Sequence, residues 1–540
     1  MSARRKRTWK QQVRHTLRDG ARWTQGLPGP AGAVIGGVVR ALPASTPGKA
    51  RLRRILAQST GPGTTAATPG AARPVSRPRV SAPNAYRGFL HIADVGDTYS
   101  EQEAVTLLQM ENAVLKRDLF RRPLEPLPAT GHEDEDAREA PGRVEAYLAG
   151  CTALQGDSGP LHLVVLAAYP TEENPYGNGF VHRRVVRFRA AGARVHVAVV
   201  SPTAEPGSYV FEGVPVITGR GAELRRMLQT QPYDSVGVHF LDRFQWEQMR
   251  DHLSGHRLFA FMHGYESRRW IRTVRNHRTR QQVDDAIEHT ITLQRFWREV
   301  LAHSHGPERF VFVSRWWRRA AQEDLELVFP GRRTAIVHNV IDTGLFRHVP
   351  KDPEQRFRIL WIRSAANLNY GPDLAVEALR RLRETPWWDR VQVRIIGDGK
   401  HFHLFEDAFG DDPRVIVERR FADQAEIAQL HRDHGVFLVP TRADSQGVSR
   451  DEAMASGLVP VTNRAAAIPE FTDDDCAVVA GFEDVEGLAE GMVRLMADPQ
   501  LFTRMSAAAA ARVRAQSSPE HTVDREMRMM GLVPKGEEGA

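Results

Sequence analysis

The stretch PTRADSQGVSRDEAMASGLVPVTN, residues 440–463, sets two carboxylates, Asp444 and Glu452, eight positions apart around Gly447. It reads as a strand end, a loop, a short helix over SRDEAMAS that Gly457 stops, and a further strand at LVPVTN. A carboxylate beside the mouth of a helix accepts hydrogen bonds from sugar hydroxyls, while the amides opening that helix, at Gly447, Val448 and Ser449, hold an anion. Such a set suits a molecule that is half polyol and half phosphate, as a nucleotide sugar is. The same spacing also permits a capping box, in which the Ser449 hydroxyl and the Glu452 carboxylate satisfy the helix's own first amides.

Four further places carry chemistry. Arg363 directly follows the apolar run FRILWI, where a guanidinium either grips a phosphate in a two-bond fork or makes a surface salt bridge. Lys400 closes the turn IIGDGK and offers a second cation. Gly177 and Gly179 in YPTEENPYGNGF let backbone approach a ligand just before a helix, but the third glycine of a dinucleotide fingerprint is missing, so no nicotinamide site is expected. His263, in FMHGYES, stands just past a strand, in a structural or a catalytic role.

These residues need elements that bring them together, and the hydrophobic pattern supplies them. From Gly159, short β-rich apolar runs (LHLVVLAAY, ARVHVAVVS, YDSVGVHFL, RLFAFMHG, RFVFVS, RTAIVHN) alternate with amphipathic helices, and after Phe346 the alternation restarts with FRILWIRS, VQVRIIGDG, RVIVERR, VFLVP, LVPVTN and CAVVA. Near-continuous apolar strands separated by helices predict parallel sheets buried on both faces. The fold class expected is therefore α/β, two Rossmann-like doubly wound domains facing a cleft, with ligands at the carboxyl ends of the strands.

Composition bounds the function. The chain has 540 residues and a formal net charge of +7. Residues 1–85 hold sixteen Lys and Arg against one acid, so the rest is mildly acidic, which argues against a main body that grips nucleic acid. Residues 1–85 read as a disordered basic arm. Within residues 4–23, Trp9, Val13, Leu17 and Ala21 recur beside a row of Lys and Arg, the pattern of a helix lying on an anionic membrane. The apolar run AGAVIGGVVRAL is too short to span a bilayer, and the pair Arg4–Arg5 lacks the apolar segment an export signal needs. Residues 86–157 read as a linker region with a helix over 100–120 and a solvated acidic loop, GHEDEDAREAPG, rather than a metal site. Two distant cysteines, Cys151 and Cys476, suggest neither disulfides nor zinc and fit a cytoplasmic setting. The remaining boundaries are 158–345, 346–500 and a C-terminal pair of helices over 501–540 that returns to the first domain.

With these motifs in place, the chain from about Gly159 to Ser518 resembles the retaining family-4 glycosyltransferases of the GT-B fold. Pro440, Thr441, Asp444, Gly447, Glu452, Ala453, Met454, Ala455 and Gly457 occupy the positions of that family's Glu-x7-Glu segment, VHNVIDTGLF resembles its interdomain segment, IIGDG its central turn and AAAIPEF its Ile-Pro-Glu segment. The resemblance implies transfer of a sugar from a nucleotide-sugar donor to a glycan or lipid-linked acceptor with retention, as in cell-surface polysaccharide synthesis, at the cytoplasmic face of the membrane. By resemblance, Glu452 binds the ribose, Asp444 the donor sugar, Arg363 the diphosphate, His263 lies beside the sugar, and Gly177 with Gly179 lines the cleft. No cofactor, metal or nucleic acid is implied. The chain departs from the family in having Asp444 for Glu, Asn369 and Tyr370 where a Lys is usual, with Lys400 as its replacement, and Ala466–Ala467 for a glycine pair. An inactive sugar-binding scaffold and a nucleotide-sugar epimerase are the alternatives.

Overall fold

The computed structural model describes residues 116, 120, 124–174, 177–277 and 279–533. The chain forms two units, residues 1–124 with 273–291 and residues 125–272 with 292–540, and both sheets described below belong to the second. The expected arm and its membrane-facing segment, residues 4–23, lie outside the described residues, as does the helix over 100–120 apart from the helical Lys116 and Phe120. Among the described residues no helix is long and apolar enough to cross a membrane.

The first sheet has strands β1 (Leu161–Leu166), β2 (Arg194–Val200), β3 (Gly207–Phe211), β4 (Val214–Gly219), β5 (Ser235–His239), β6 (Leu258–Met262), β7 (Arg309–Phe312) and β8 (Thr334–Ile336). Their spatial order is β3-β4-β2-β1-β5-β6-β7-β8, parallel except for the β3–β4 hairpin, so the order reverses between β1 and β5. Successive β1 residues serve opposite cores: Leu163 and Val165 face one cluster, Val164 and Leu166 the other. That double burial is why the strand is apolar except for His162, whose Nδ1 is 2.8 Å from the Ser235 hydroxyl.

The second sheet, β9 (Arg358–Ile362), β10 (Gln392–Gly397), β11 (Val415–Arg419), β12 (Val436–Leu438), β13 (Val459–Asn463) and β14 (Val478–Ala480), is wholly parallel in the order β11-β10-β9-β12-β13-β14. Its reversal falls between β9 and β12. Ile359 and Trp361 pack on one face and Leu360 on the other.

Two segments differ from the sequence-based expectation. The acidic stretch is not a loop: helix Glu133–Gln155 begins in it, with Glu133, Asp134, Glu135 and Asp136 in its first turn, where carboxylates complement the helix dipole. The Glu133 carboxylate accepts from the Thr130 and Gly131 amides, and buried Asp136 pairs with Arg220 at 2.9 Å. Val144, Tyr147 and Cys151 of this helix join the first sheet's core, and Tyr147 Oη accepts from the Val197 amide at 2.8 Å, so residues 133–155 belong to the first domain and not to a linker. At the other end, helix Pro499–Ser517 packs through Phe502 and Met505 onto the second sheet, and it is helix Val523–Met530 that returns to the first, through Val523, Met527 and Met530.

That return is fixed by a buried ion pair. Arg184, on helix Gly179–Ala190, donates from Nε to both carboxylate oxygens of Glu526 at 3.1 Å and from Nη2 to Asn339 Oδ1 at 3.2 Å in the interdomain segment. The Asn339 amide donates to Gln446 Oε1 at 2.6 Å, and Gln446 Nε2 donates to Asp451 at 3.0 Å. The chain of contacts runs from the C-terminal helix through the interdomain segment to the loop carrying Asp444.

Candidate active site

A cleft of about 640 Å³ opens at the carboxyl ends of both sheets. In the first sheet, β5 leads to Phe240 and β6 to His263, Gly264 and Tyr265; in the second, β9 leads to Arg363, β10 ends at Gly397, and the loop after β12 carries Asp444 to Gly447, with Val448 and Ser449 opening the helix that follows. Of the residues singled out from sequence, Asp444, His263, Glu452, Arg363, Gly447, Val448 and Ser449 line this cleft together. Gly177, Gly179 and Lys400 do not. Lys400 is exposed beyond the β10 turn. Gly177 precedes helix Gly179–Ala190 and Gly179 begins it, directly before Phe180 and one turn before Arg183, which do reach the cleft.

Arg363 and Asp444 pair with each other: Nη2 donates to Oδ2 at 2.8 Å with both side chains largely buried, and the guanidinium lies over the Tyr370 ring, 4.1 Å from its centroid. The second Asp444 oxygen accepts from the Gln446 amide at 3.2 Å, which fixes the carboxylate toward the cleft. Tyr370, standing where the resemblance anticipates a lysine, is therefore a stacking partner for Arg363. Burial, then the Asp444 charge, raises its phenol above the ordinary range.

The capping box does not form. Helix Val448–Ala455 is preceded by Gly447 in the left-handed region at φ 100°, where a side chain would also press on the Arg450 guanidinium, and no side chain caps the first turn. Glu452 instead accepts from Arg183 Nη1 at 3.0 Å, a donor that also reaches Gln424. Burial raises the Glu452 carboxyl, against the lowering by Arg183. The first-turn amides thus have no side chain of their own helix competing for them.

On the opposite wall, His263 Nε2 is 2.9 Å from His239 Nδ1, and the His263 ring packs against Phe180 and Phe240. Burial, then the Arg184 charge, holds His263 well below the usual imidazole range, so the ring is neutral. Its Nδ1 is buried without a hydrogen-bond partner, as is Asn369 Oδ1 across the cleft. Buried polar atoms without partners are few in folded proteins, and both of these belong to cleft residues.

Sequence reasoning missed Arg183, Arg268 and Phe240, and placed Tyr370 only as the substitute for a lysine, not as the ring beneath Arg363. Helical phase is the signal that separates adjacent arginines: Arg183 faces the cleft while Arg184 faces the core. Nothing local marks Phe240 or Arg268.

Comparison with known proteins bears on the second-domain half of the site. Residues 356–498 match the family model described as Glycosyl transferases group 1. The chain is similar to Sulfoquinovosyl transferase SQD2 of Arabidopsis thaliana, 32% identical over 92 residues, and to MMP alpha-(1->4)-mannosyltransferase of Mycolicibacterium hassiacum, 29% identical over 168 residues. These matches take in 17% and 31% of this chain and span 18% and 40% of those relatives. Among solved structures, sucrose-phosphate synthase from Thermosynechococcus elongatus aligns with TM-score 0.53 at 15% identity, over 69% of this chain and 98% of that one. Anabaena HepE in complex with UDP-glucose aligns with TM-score 0.50 at 14% identity, over 68% and 98%. The fold is GT-B: two Rossmann-like sheets with the cleft at their carboxyl ends.

Proposed function

We propose that this chain is a glycosyltransferase that moves a sugar from a nucleotide-sugar donor to a glycan or glycolipid acceptor with retention of anomeric configuration. The observation that carries the reading is the convergence in one cleft of Arg363, Asp444, the open helix mouth at Gly447–Ser449 and Glu452, which together have chemistry for the diphosphate, the ribose and the sugar of such a donor. The match of residues 356–498 to Glycosyl transferases group 1 covers all four. Arg363 and the helix amides take the diphosphate, Glu452 the ribose hydroxyls, and Asp444 the hydroxyls of the sugar.

In the reaction, the bond from the anomeric carbon to the phosphate oxygen breaks as the acceptor oxygen bonds to the same face of that carbon. The acceptor's proton passes to the leaving phosphate. Negative charge grows on the diphosphate, so a guanidinium and preorganised amides directed at it lower the barrier. Neutral His263 serves as a hydrogen-bonding partner for the sugar through Nδ1. Neither a metal nor a protein nucleophile is invoked. The basic segment at residues 4–23 would hold the enzyme on an anionic cytoplasmic membrane surface, close to a lipid-linked acceptor of cell-surface glycan synthesis.

The test is release of nucleoside diphosphate from a panel of UDP-, GDP- and ADP-sugars, with and without acceptor, and product linkage by NMR. Asp444→Ala is expected to lower transfer by about a hundredfold or more while leaving the fold intact, since small errors in sugar placement are costly. Wild-type protein that binds nucleotide sugars without releasing diphosphate is a binding scaffold, and one that interconverts sugars without transfer is an epimerase. Either result rejects the proposal.

A further inference from the structure

We infer that the first-domain wall of the cleft is a subsite for an anionic saccharide, its ring lying on the Phe240–Tyr265 pair and its carboxylate or phosphate held by Arg268. The inference rests on the glycosyltransferase reading only in making that saccharide the acceptor.

Charge balance is the first ground. Four arginines line the cleft. Arg183 is paired with Glu452, Arg363 with Asp444, and Arg420 with Glu418 and Glu426. Arg268 differs: among the described residues no carboxylate lies within ion-pair distance of it, and its recorded neighbour is the Trp317 ring, 5.8 Å from the guanidinium carbon. Its guanidinium lies beside Gly264 and close to the loop that carries Asp444: a Cβ placed on Gly264 would be 3.4 Å from Arg268 Nη2 and 3.6 Å from Ser445 Oγ. A planar fork of donors without a carboxylate, on a cleft wall, fits a carboxylate or phosphate brought by a ligand.

Backbone strain is the second ground. Phe240, at the carboxyl end of β5, has φ 58°, a left-handed conformation costly for a bulky residue. That conformation lays its ring parallel to Tyr265, with centroids 5.0 Å apart and planes 16° apart, and brings it within 4.4 Å of the His263 ring. Tyr265 keeps 58% of its surface exposed, a large aromatic face left open inside a cleft. Flat, rigid aromatic faces accept the apolar face of a sugar ring at little entropic cost. Arg268 is three residues along the same turn and its amide donates to the Tyr265 carbonyl, so platform and cation move as one piece.

The test uses three sugars that share a ring: methyl α-glucoside as the neutral probe, methyl α-glucuronide for the carboxylate and glucose 6-phosphate for the phosphate. Each is titrated into the full chain by ligand-observed NMR, with and without UDP, whose own affinity is measured separately. At least one acidic sugar is expected to bind about tenfold more tightly than the neutral one, the size of a charge-assisted hydrogen-bond pair. R268Q should abolish that preference, R268K should restore part of it, and Y265A should weaken all three sugars alike. Equal binding of acidic and neutral sugars, binding of none of them, or a preference that survives R268Q overturns the inference. So does loss of UDP affinity in R268Q, which would assign Arg268 to the donor phosphates. Protein that prefers acidic sugars but binds no nucleotide would instead refute the glycosyltransferase reading and leave this one standing.

Discussion

Glu266, two residues past Gly264, makes the stability of the cleft wall depend on pH. Its side chain is buried, one carboxylate oxygen accepts from the Gly264 amide at 2.8 Å, and the other has no partner. Burial raises its pKa from the ordinary 4.5 to about 7, opposed by nearby backbone amides and by the Arg268 charge. Between these values the folded protein binds a proton that the unfolded chain releases. The stabilisation is complete below pH 4.5 and is lost as pH rises through 7, amounting to about 3 kcal/mol at roughly 1.4 kcal/mol per unit. Glutamine cannot ionise and still accepts from Gly264, so Glu266→Gln should match wild type near pH 4.5 and exceed it by about 3 kcal/mol at pH 8.

The readout is urea unfolding followed by tryptophan fluorescence at half-unit pH steps, plotted as the difference between variant and wild type. Subtraction is needed because buried histidines such as His431 and His434, pushed down to about 3 and about 4, act in the opposite direction on the absolute curves. They are unchanged in the variant and cancel. A difference that stays flat from pH 4.5 to 8 would refute the reasoning, because it would mean that Glu266 ionises in the fold as readily as in the unfolded chain.

Glu526→Ala leaves Arg184 buried without its carboxylate and should cost about 3–5 kcal/mol in urea unfolding, whereas replacing both residues by Met should recover most of that. Ala466 stands at φ 47°, so Ala466→Gly is expected to stabilise the protein by up to about 1 kcal/mol, visible as a raised melting temperature. At Gly397 a Cβ would collide with the Arg363 carbonyl oxygen, so Gly397→Ala should displace Arg363 and weaken UDP binding, by calorimetry, more than Arg363→Lys does.

What could be read from the sequence follows from how far apart the causes lie. β1 and β9 were legible because nearly every residue's burial is written in its own type, the exception in β1 being His162, buried on the Ser235 hydroxyl, and in β9 the exposed first residue Arg358. The Asp444–Glu452 loop was legible for the same reason: glycine, carboxylates and helix start lie within a dozen residues. The acidic stretch at residue 133 failed because a run of carboxylates looks alike in a solvated loop and in the first turn of a helix; the difference is made by Val144, Tyr147 and Cys151, which pull the following turns onto a sheet. Ser449 and Glu452 have capping-box spacing, yet the Glu452 carboxylate went to Arg183, 269 residues away in sequence. Arg184 and Glu526 are 342 apart. Such pairs depend on where two helices cross, and no local pattern encodes a crossing. The part of the cleft left unread is therefore its first-domain wall apart from His263: the second domain carries its candidate residues on one contiguous loop and the strand ends around it, whereas Arg183, Phe240 and Arg268 come from three different elements that meet only after the sheet has formed.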